Sequence, residues 1–367
     1  MELFGGKKLS RKDIKESLNI VDSTVSYLIS EMIREGLVEI SLVREKHRGR
    51  PYEIIQLKKD AWYSIGLKIG REMVRGVLFN ACMEIIKEIE VHITKEMRNN
   101  EGYISAIFRV LKNLSGRNVK AIGISSSGEV DSERIIRSSI LNVWNLDLKR
   151  RIEKEIGSIV ITLMNDVDSL AYFEKYFYGG RRFLVISYGV GIGASFFNEN
   201  SVFILENGRS ILELGHVIVG NGEECYCGQR GCLEIYASEY AVLKEFLKKD
   251  FSIKEFIEFE EEMFRRDLEY LRKLAKDPKV VKKYYTPSLK YLSMAVGNLI
   301  MLFFPEKVVF YGEGIRSWMV EEIKKFVKER YRNSVVGGIS FLCREEEKNA
   351  WETGVALNAV EKYISTL

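Results

Sequence analysis

No unbroken apolar run in the 367 residues is long enough to cross a bilayer, and the opening MELFGGKKLSRKD is not a signal peptide. A helical membrane protein is excluded, and a cytoplasmic one is expected. Cysteine is scarce: five residues, an odd number, three of them clustered, fit a reducing compartment better than a disulfide framework. Cys82 and Cys343 read as plain core residues. Glutamine occurs only at Gln56 and Gln229, against 56 Lys and Arg and 52 Asp and Glu, a balance that leans toward heat stability without naming a function. Strong net charge is also lacking. At +4, bulk charge makes no case for nucleic acid, so any such case rests on local pattern. What is plentiful is core: 46% hydrophobic residues at this length suffice for two or three domains.

The most informative stretch is Leu212 to Ser238, LELGHVIVGNGEECYCGQRGCLEIYAS. Cys225, Cys227 and Cys232 lie in a turn-rich segment with Gly222, Gly228 and Gly231, and His216 stands nine positions before the first thiol. Three sulfurs and an imidazole form a Cys3His set, the closed tetrahedral combination of structural zinc, and the glycines let the backbone fold tightly enough for convergence. The alternative is three buried thiols and a satisfied core histidine. Glu213 and Glu234 bracket the set. A metal-bound histidine keeps its second ring nitrogen free, and carboxylates around it suit a hydroxyl-rich ligand.

The runs ELGH and CYCGQRGCLE resemble the signature of the ROK family, which comprises repressors, sugar kinases and open reading frames of unassigned role, and the resemblance extends over nearly the whole chain. It implies a two-lobed actin-like ATPase (ribonuclease H-like) α/β fold with ligands in the interlobe cleft. In sugar kinases of this kind the first turn carries an aspartate and two glycines near magnesium and phosphate. The equivalent here is Ile65-Gly66-Leu67-Lys68-Ile69-Gly70-Arg71, with lysine for the aspartate and arginine for a glycine. A carboxylate beside a metal-phosphate cluster has become a cation, which implies loss of efficient ATP chemistry. Lys68 is expected near Asp166, to neutralise it or to meet the phosphate of a sugar phosphate.

The same resemblance assigns the sugar site to Asn142, Asn165, Asp166, Glu213, His216 and Glu234. Asp166 would be the catalytic base if the chain were a kinase. Asn165 and Asp166 also read as an ordinary helix N-cap. Gly189, Gly191 and Gly193 fit a phosphate-cradling turn, and Gly312 and Gly314 an adenosine-side turn with Glu313 in place of glycine. With Gly70 these make a degraded nucleotide site.

Ahead of this body, SRKDIKESLNIVDSTVSYLISEMIREGLVEI reads as two helices around a turn at Asn19. Ser10 caps the first with Asp13 three residues on, Asp22 or Ser23 caps the second, and Gly36 ends it. Val25, Leu28, Ile29, Met32 and Ile33 form the apolar stripe, leaving Ser23, Thr24, Ser26 and Tyr27 on the opposite face. Two short strands then flank a basic tip, Arg44 to Arg50, whose Arg48 and Arg50 suit a narrow minor groove. An ordinary helical bundle with a solvated loop is the alternative. Joined in this order the pieces resemble the winged helix-turn-helix of the family's repressors. Those carry a further helix ahead of the Ser10 position, and MELFGGKKL is too short for a full one, so the module is expected to be trimmed or to start upstream of Met1.

The expected domains are 1–58, DNA-binding; 61–176 with 350–367, the first lobe; and 177–349, the second lobe with zinc. Leu243 to Tyr285 reads as a charged, solvated or dimer-forming helical set. The function expected is a sugar-responsive repressor, a homodimer or higher homo-oligomer binding operator DNA and a sugar or sugar phosphate, with structural zinc. The alternative is an ATP-dependent hexose or N-acetylglucosamine kinase using Mg-ATP.

Overall fold

The computed structural model describes residues 6–43, 52–116, 118–157, 159–210, 212–259, 263–345 and 347–367. The chain begins with β1 (Lys8–Ser10), α1 (Arg11–Leu18), α2 (Asp22–Arg34), β2 (Val38–Val43) and β3 (Tyr52–Leu57), the strands forming an antiparallel sheet in the order β1-β3-β2. Ser10 and Asp13 close a capping box on α1, and Asn19 ends it in the left-handed conformation at φ 52°. The second cap differs from expectation. Val21 is the N-cap of α2 and gives no side-chain hydrogen bond, because Asp22 and Ser23 already lie in the first turn. Of the apolar stripe, Val25 and Ile29 are buried, while Leu28 and Ile33 are exposed.

The first lobe holds β4 (Tyr63–Ile69), β5 (Met73–Asn80), β6 (Ile85–His92), α3 (Asn100–Leu114), β7 (Val119–Ser126), β8 (Glu129–Val130), β9 (Ile135–Ser138), β10 (Val143–Leu146), α4 (Leu148–Ile156), β11 (Val160–Asn165) and α5 (Asp166–Tyr178). Its main sheet runs β11-β7-β4-β5-β6, and β10-β9-β8 form a small antiparallel sheet beside it. Gly66 lies within β4, not in the turn: a Cβ there would collide with the Glu352 carbonyl.

The second lobe holds β12 (Arg182–Tyr188), β13 (Ile192–Asn198), β14 (Ser201–Val202), α6 (Leu233–Ala237), α7 (Glu239–Leu247), α8 (Ile253–Phe259), α9 (Arg265–Leu274), α10 (Pro278–Phe303), β15 (Lys307–Tyr311), α11 (Ser317–Arg330), α12 (Asn333–Val336) and β16 (Ser340–Cys343), with sheet order β14-β13-β12-β15-β16. Alternation along these strands sends Leu184, Ile186 and Phe310 into one core and Phe183, Val185 and Val309 into another. The 243–285 segment is less solvated than its charge suggests: Phe251, Phe256, Phe264, Leu268, Leu271 and Tyr285 belong to the first of these cores.

The last helix, α13 (Ala350–Ile364), returns to the first lobe and packs on β4, β7 and α5. Its Ala356, Leu357, Ala359 and Val360 share one apolar cluster with Ile14, Val25, Ile29 and Ile55 of the N-terminal unit.

Candidate sugar cleft and Cys3His cluster

A cavity of about 320 Å3 lies between the lobes, within the range of small-molecule sites. Asp166, the first residue of α5, lines it from the first lobe, and Glu213, His216 and Glu234 line it from the second. Among the described residues no hydrogen bond or ion pair occupies the Asp166 or Glu213 carboxylate, so both can accept from a ligand. The other predicted polar groups are already engaged. Asn165 is the N-cap of α5, accepting from the Val167 N–H at 2.9 Å and donating to the Gly128 carbonyl at 2.9 Å. Glu234 accepts from the Tyr226 hydroxyl at 2.6 Å and the Ile192 N–H at 3.2 Å. Burial raises its carboxyl to about 7 against the pull of those two donors.

Asn142 is not brought to the cleft. Its side chain donates to the Arg98 carbonyl at 2.8 Å and its backbone is left-handed, φ 58°, so it shapes the loop before β10. The same small sheet instead supplies Glu129, Arg137 and Ser138 to the wall, and Glu129 pairs with Arg209 of the second lobe at 2.9 Å. A motif search centred on asparagine passes over these residues.

His216, Cys225, Cys227 and Cys232 converge as the spacing predicts, their ligand atoms all within 4.8 Å of one another. The Cys225 Sγ to His216 Nδ1 separation is 3.8 Å and that of Cys227 and Cys232 Sγ is 3.7 Å. The edge of a tetrahedron with metal–sulfur bonds of about 2.3 Å is about 3.8 Å, so the set fits a tetrahedral metal ion. Gly228 and Gly231, at φ 93° and 78°, make the turns between the thiols, and a Cβ on Gly231 would strike the Gly220 carbonyl. Binding through Nδ1 leaves His216 Nε2 for the cleft. Tyr226, between two of the thiols in sequence, packs edge-on to the His216 ring at 5.3 Å and ties the cluster to Glu234.

The other end of the cleft is filled by the chain's own charges. Lys68 Nζ stands 3.3 Å from the centroid of Trp351 on α13. Burial lowers its pKa, opposed by the charges of Asp166, Glu352 and Glu313, and Lys68 lines the same cavity as Asp166. Arg71 turns away, donating to the Glu258 carbonyl at 3.4 Å, while the neighbouring Glu72 pairs with Arg265 across the lobes.

Gly189 and Gly191 flank the β12–β13 turn, Gly193 is already inside β13, and Gly312 and Gly314 follow β15. Buried Glu239 sits between these turns: a Cβ on Gly314 would approach its carboxyl at 2.6 Å. Arg272 of α9 grips Glu239 at 2.6 and 2.8 Å and Glu313 at 2.6 Å. Neither Arg272 nor Glu239 carries a motif that sequence reading could single out.

In the N-terminal unit Ser23, Thr24, Ser26 and Tyr27 are all exposed on α2, Tyr27 at 64%. Arg48 and Arg50 lie outside the described residues.

Comparison with known proteins agrees with this geometry. The xylose repressor of Bacillus spizizenii is 26% identical over 379 residues, covering 99% of this chain and 94% of that protein. The dual regulator NagC of Escherichia coli is 24% identical over 316 residues, 83% of this chain and 77% of that one. A crystal structure described as a ROK family transcriptional regulator, homolog of the E. coli MLC protein, superposes with a TM-score of 0.77 at 24% identity, covering 97% of this chain and 92% of that one. A ROK family glucokinase from Streptomyces griseus, in complex with glucose and AMPPNP, gives 0.63 at 22% identity, covering 82% of this chain and 99% of that one. The ROK family profile matches residues 64–357, and the chain belongs to that family.

Proposed function

We propose that the protein is a sugar-responsive transcriptional regulator, a repressor of carbohydrate genes. Residues 1–58 would serve as a winged helix-turn-helix that reads operator DNA, and the cleft between the lobes would bind the sugar. One observation carries the reading: the regulator structure aligns with 97% of this chain, whereas a complete kinase accounts for only 82% of it. Ahead of residues 64–357, which the family profile matches, stands a two-helix, three-strand unit that exposes Ser23, Thr24, Ser26 and Tyr27 on α2. A helix presenting such side chains suits the major groove, and the chemistry of Arg48 and Arg50 would suit the minor groove. A two-fold operator would call for a homodimer.

In the cleft, Asp166 and Glu213 would accept from sugar hydroxyls, and the Nε2–H of His216 would donate to one. The cluster of His216, Cys225, Cys227 and Cys232 would hold structural zinc, which fixes the orientation of that imidazole. Phosphoryl transfer from ATP is disfavoured. Lys68 stands where a carboxylate would approach magnesium, Arg71 points to α8, and Glu239 with Glu313 place two carboxylates, bridged by Arg272, between the glycine turns.

The kinase reading draws on the open carboxylate of Asp166 and the intact Gly189–Gly191 turn. A coupled phosphorylation assay with magnesium and ATP across neutral sugars decides between them. We expect no turnover, together with saturable calorimetric binding of at least one sugar that Asp166→Asn weakens. Turnover at about 1 to 100 per second, abolished by that substitution, would establish the kinase.

A further inference from the structure

α13 connects the cleft to the DNA-facing unit in one continuous helix. Its first turn carries Trp351, a cleft wall residue whose ring holds the Lys68 ammonium, and Glu352, which is buried with Lys68 and Arg75 as its nearest cations. Its last turn carries Tyr363, whose ring packs edge-on to Trp62 at 5.8 Å. The Tyr363 ring also packs against the apolar cluster that contains Ile14, Val25 and Ile29 of the N-terminal unit. From Trp351 to Tyr363 is about 18 Å at 1.5 Å per residue.

Three glycines remove the usual side-chain layer along this path. A Cβ on Gly66 of β4, Gly123 of β7 or Gly354 of α13 would collide with the carbonyls of Glu352, Val355 or Ser169 respectively. Backbone therefore rests directly on backbone where α13 meets β4, β7 and α5, the helix that begins with Asp166. Such a contact has little room to deform, so a displacement at Asp166 or Lys68 must move the helix as a body.

We infer that α13 is the element that couples the sugar cleft to the N-terminal unit, with Lys68 and Trp351 as its reading end and Tyr363 as its output end. The inference rests on the regulator reading. A ligand that approaches Asp166 alters the field at Lys68, shifts the ammonium relative to the Trp351 ring, and changes the seating of α13 beneath Ile14, Val25 and Ile29.

The experiment is hydrogen exchange of α1 and α2 amides in the full-length, zinc-loaded protein. It is run with and without whichever of D-xylose, D-glucose and N-acetyl-D-glucosamine the wild type binds by calorimetry. Wild type is expected to change exchange by about fivefold or more on saturation. Tyr363→Leu is expected to bind the sugar with unchanged affinity and to respond by less than about twofold. Tyr363→Phe keeps the ring and retains the response, as does Phe303→Leu in the Phe196–Phe203 cluster of the second lobe. Should Tyr363→Leu not fold, Val360→Ala, a smaller truncation in the same apolar cluster, decides by the same ratio. A full response in the folded output-end variant overturns the coupling role of α13 while leaving the regulator reading intact. Sugar binding by wild type without any change in α1 and α2 overturns both.

Discussion

Asp168 offers the sharpest physical test of the contact between α5 and β13. It lies on α5 two residues beyond Asp166 and is 1% exposed, and the Ser195 hydroxyl donates to its Oδ1 at 2.6 Å. Burial raises this carboxyl from 3.8 to about 7; the Ser195 and Ser210 hydroxyls pull it down, and the charges of Asp166 and Glu213 push it up. The folded state thus holds the proton more tightly than the unfolded chain. Stability is therefore lost as pH rises from the unfolded value to the folded one. Between pH 5 and pH 8 the two values give a loss of about 2 to 3 kcal/mol. Asp168→Asn removes the ionisation and keeps an oxygen for Ser195. Relative to wild type it should gain about 2 to 3 kcal/mol more at pH 8 than at pH 5, measured by urea unfolding with linear extrapolation. An equal difference at the two pH values would refute the argument.

Glu174 is fully buried, accepting from Arg344 at 3.0 and 3.1 Å and from the Tyr311 hydroxyl at 2.7 Å, and it pairs with Lys307. Glu174→Ala strands both cations and should cost about 3 to 5 kcal/mol in the same unfolding assay, with Glu174→Gln less damaging. Cys232→Ser should lower bound zinc below one per chain, measured by atomic emission, and weaken sugar binding by about tenfold or more because His216 loses its support. Tyr27→Ala should weaken binding to operator DNA by about 1 to 3 kcal/mol in fluorescence anisotropy and leave sugar affinity unchanged.

Much of this was legible because each element announces itself locally. The capping box at Ser10 and Asp13, the left-handed Asn19, the strand-to-helix junction at Asn165 and the convergence of four metal-ligating side chains all follow from residue type and spacing. The errors came from long range. Asn142 has the right chemistry for a sugar, but the Arg98 carbonyl, 44 positions away in sequence, claims its amide. Gly66 reads as part of a turn, because nothing in a strand's pattern reveals that a helix from the end of the chain will rest on its backbone. Arg272 sits in a run that reads as a solvated face, and only the tertiary fold turns it toward Glu239 and Glu313. The motif around His216 told where ligands converge; it could not tell which carboxylates the protein had already filled.

The proposed regulator binds DNA through its N-terminal unit and sugar between its lobes, and the two events are linked. The most direct measurement is the affinity of the full-length protein for DNA from its own upstream region, titrated by anisotropy with and without a saturating sugar that calorimetry has shown to bind. A change of about 5- to 150-fold is expected, matched by an equal change in sugar affinity when DNA is present. Identical DNA affinities in the two titrations, or no DNA binding at all, would contradict it.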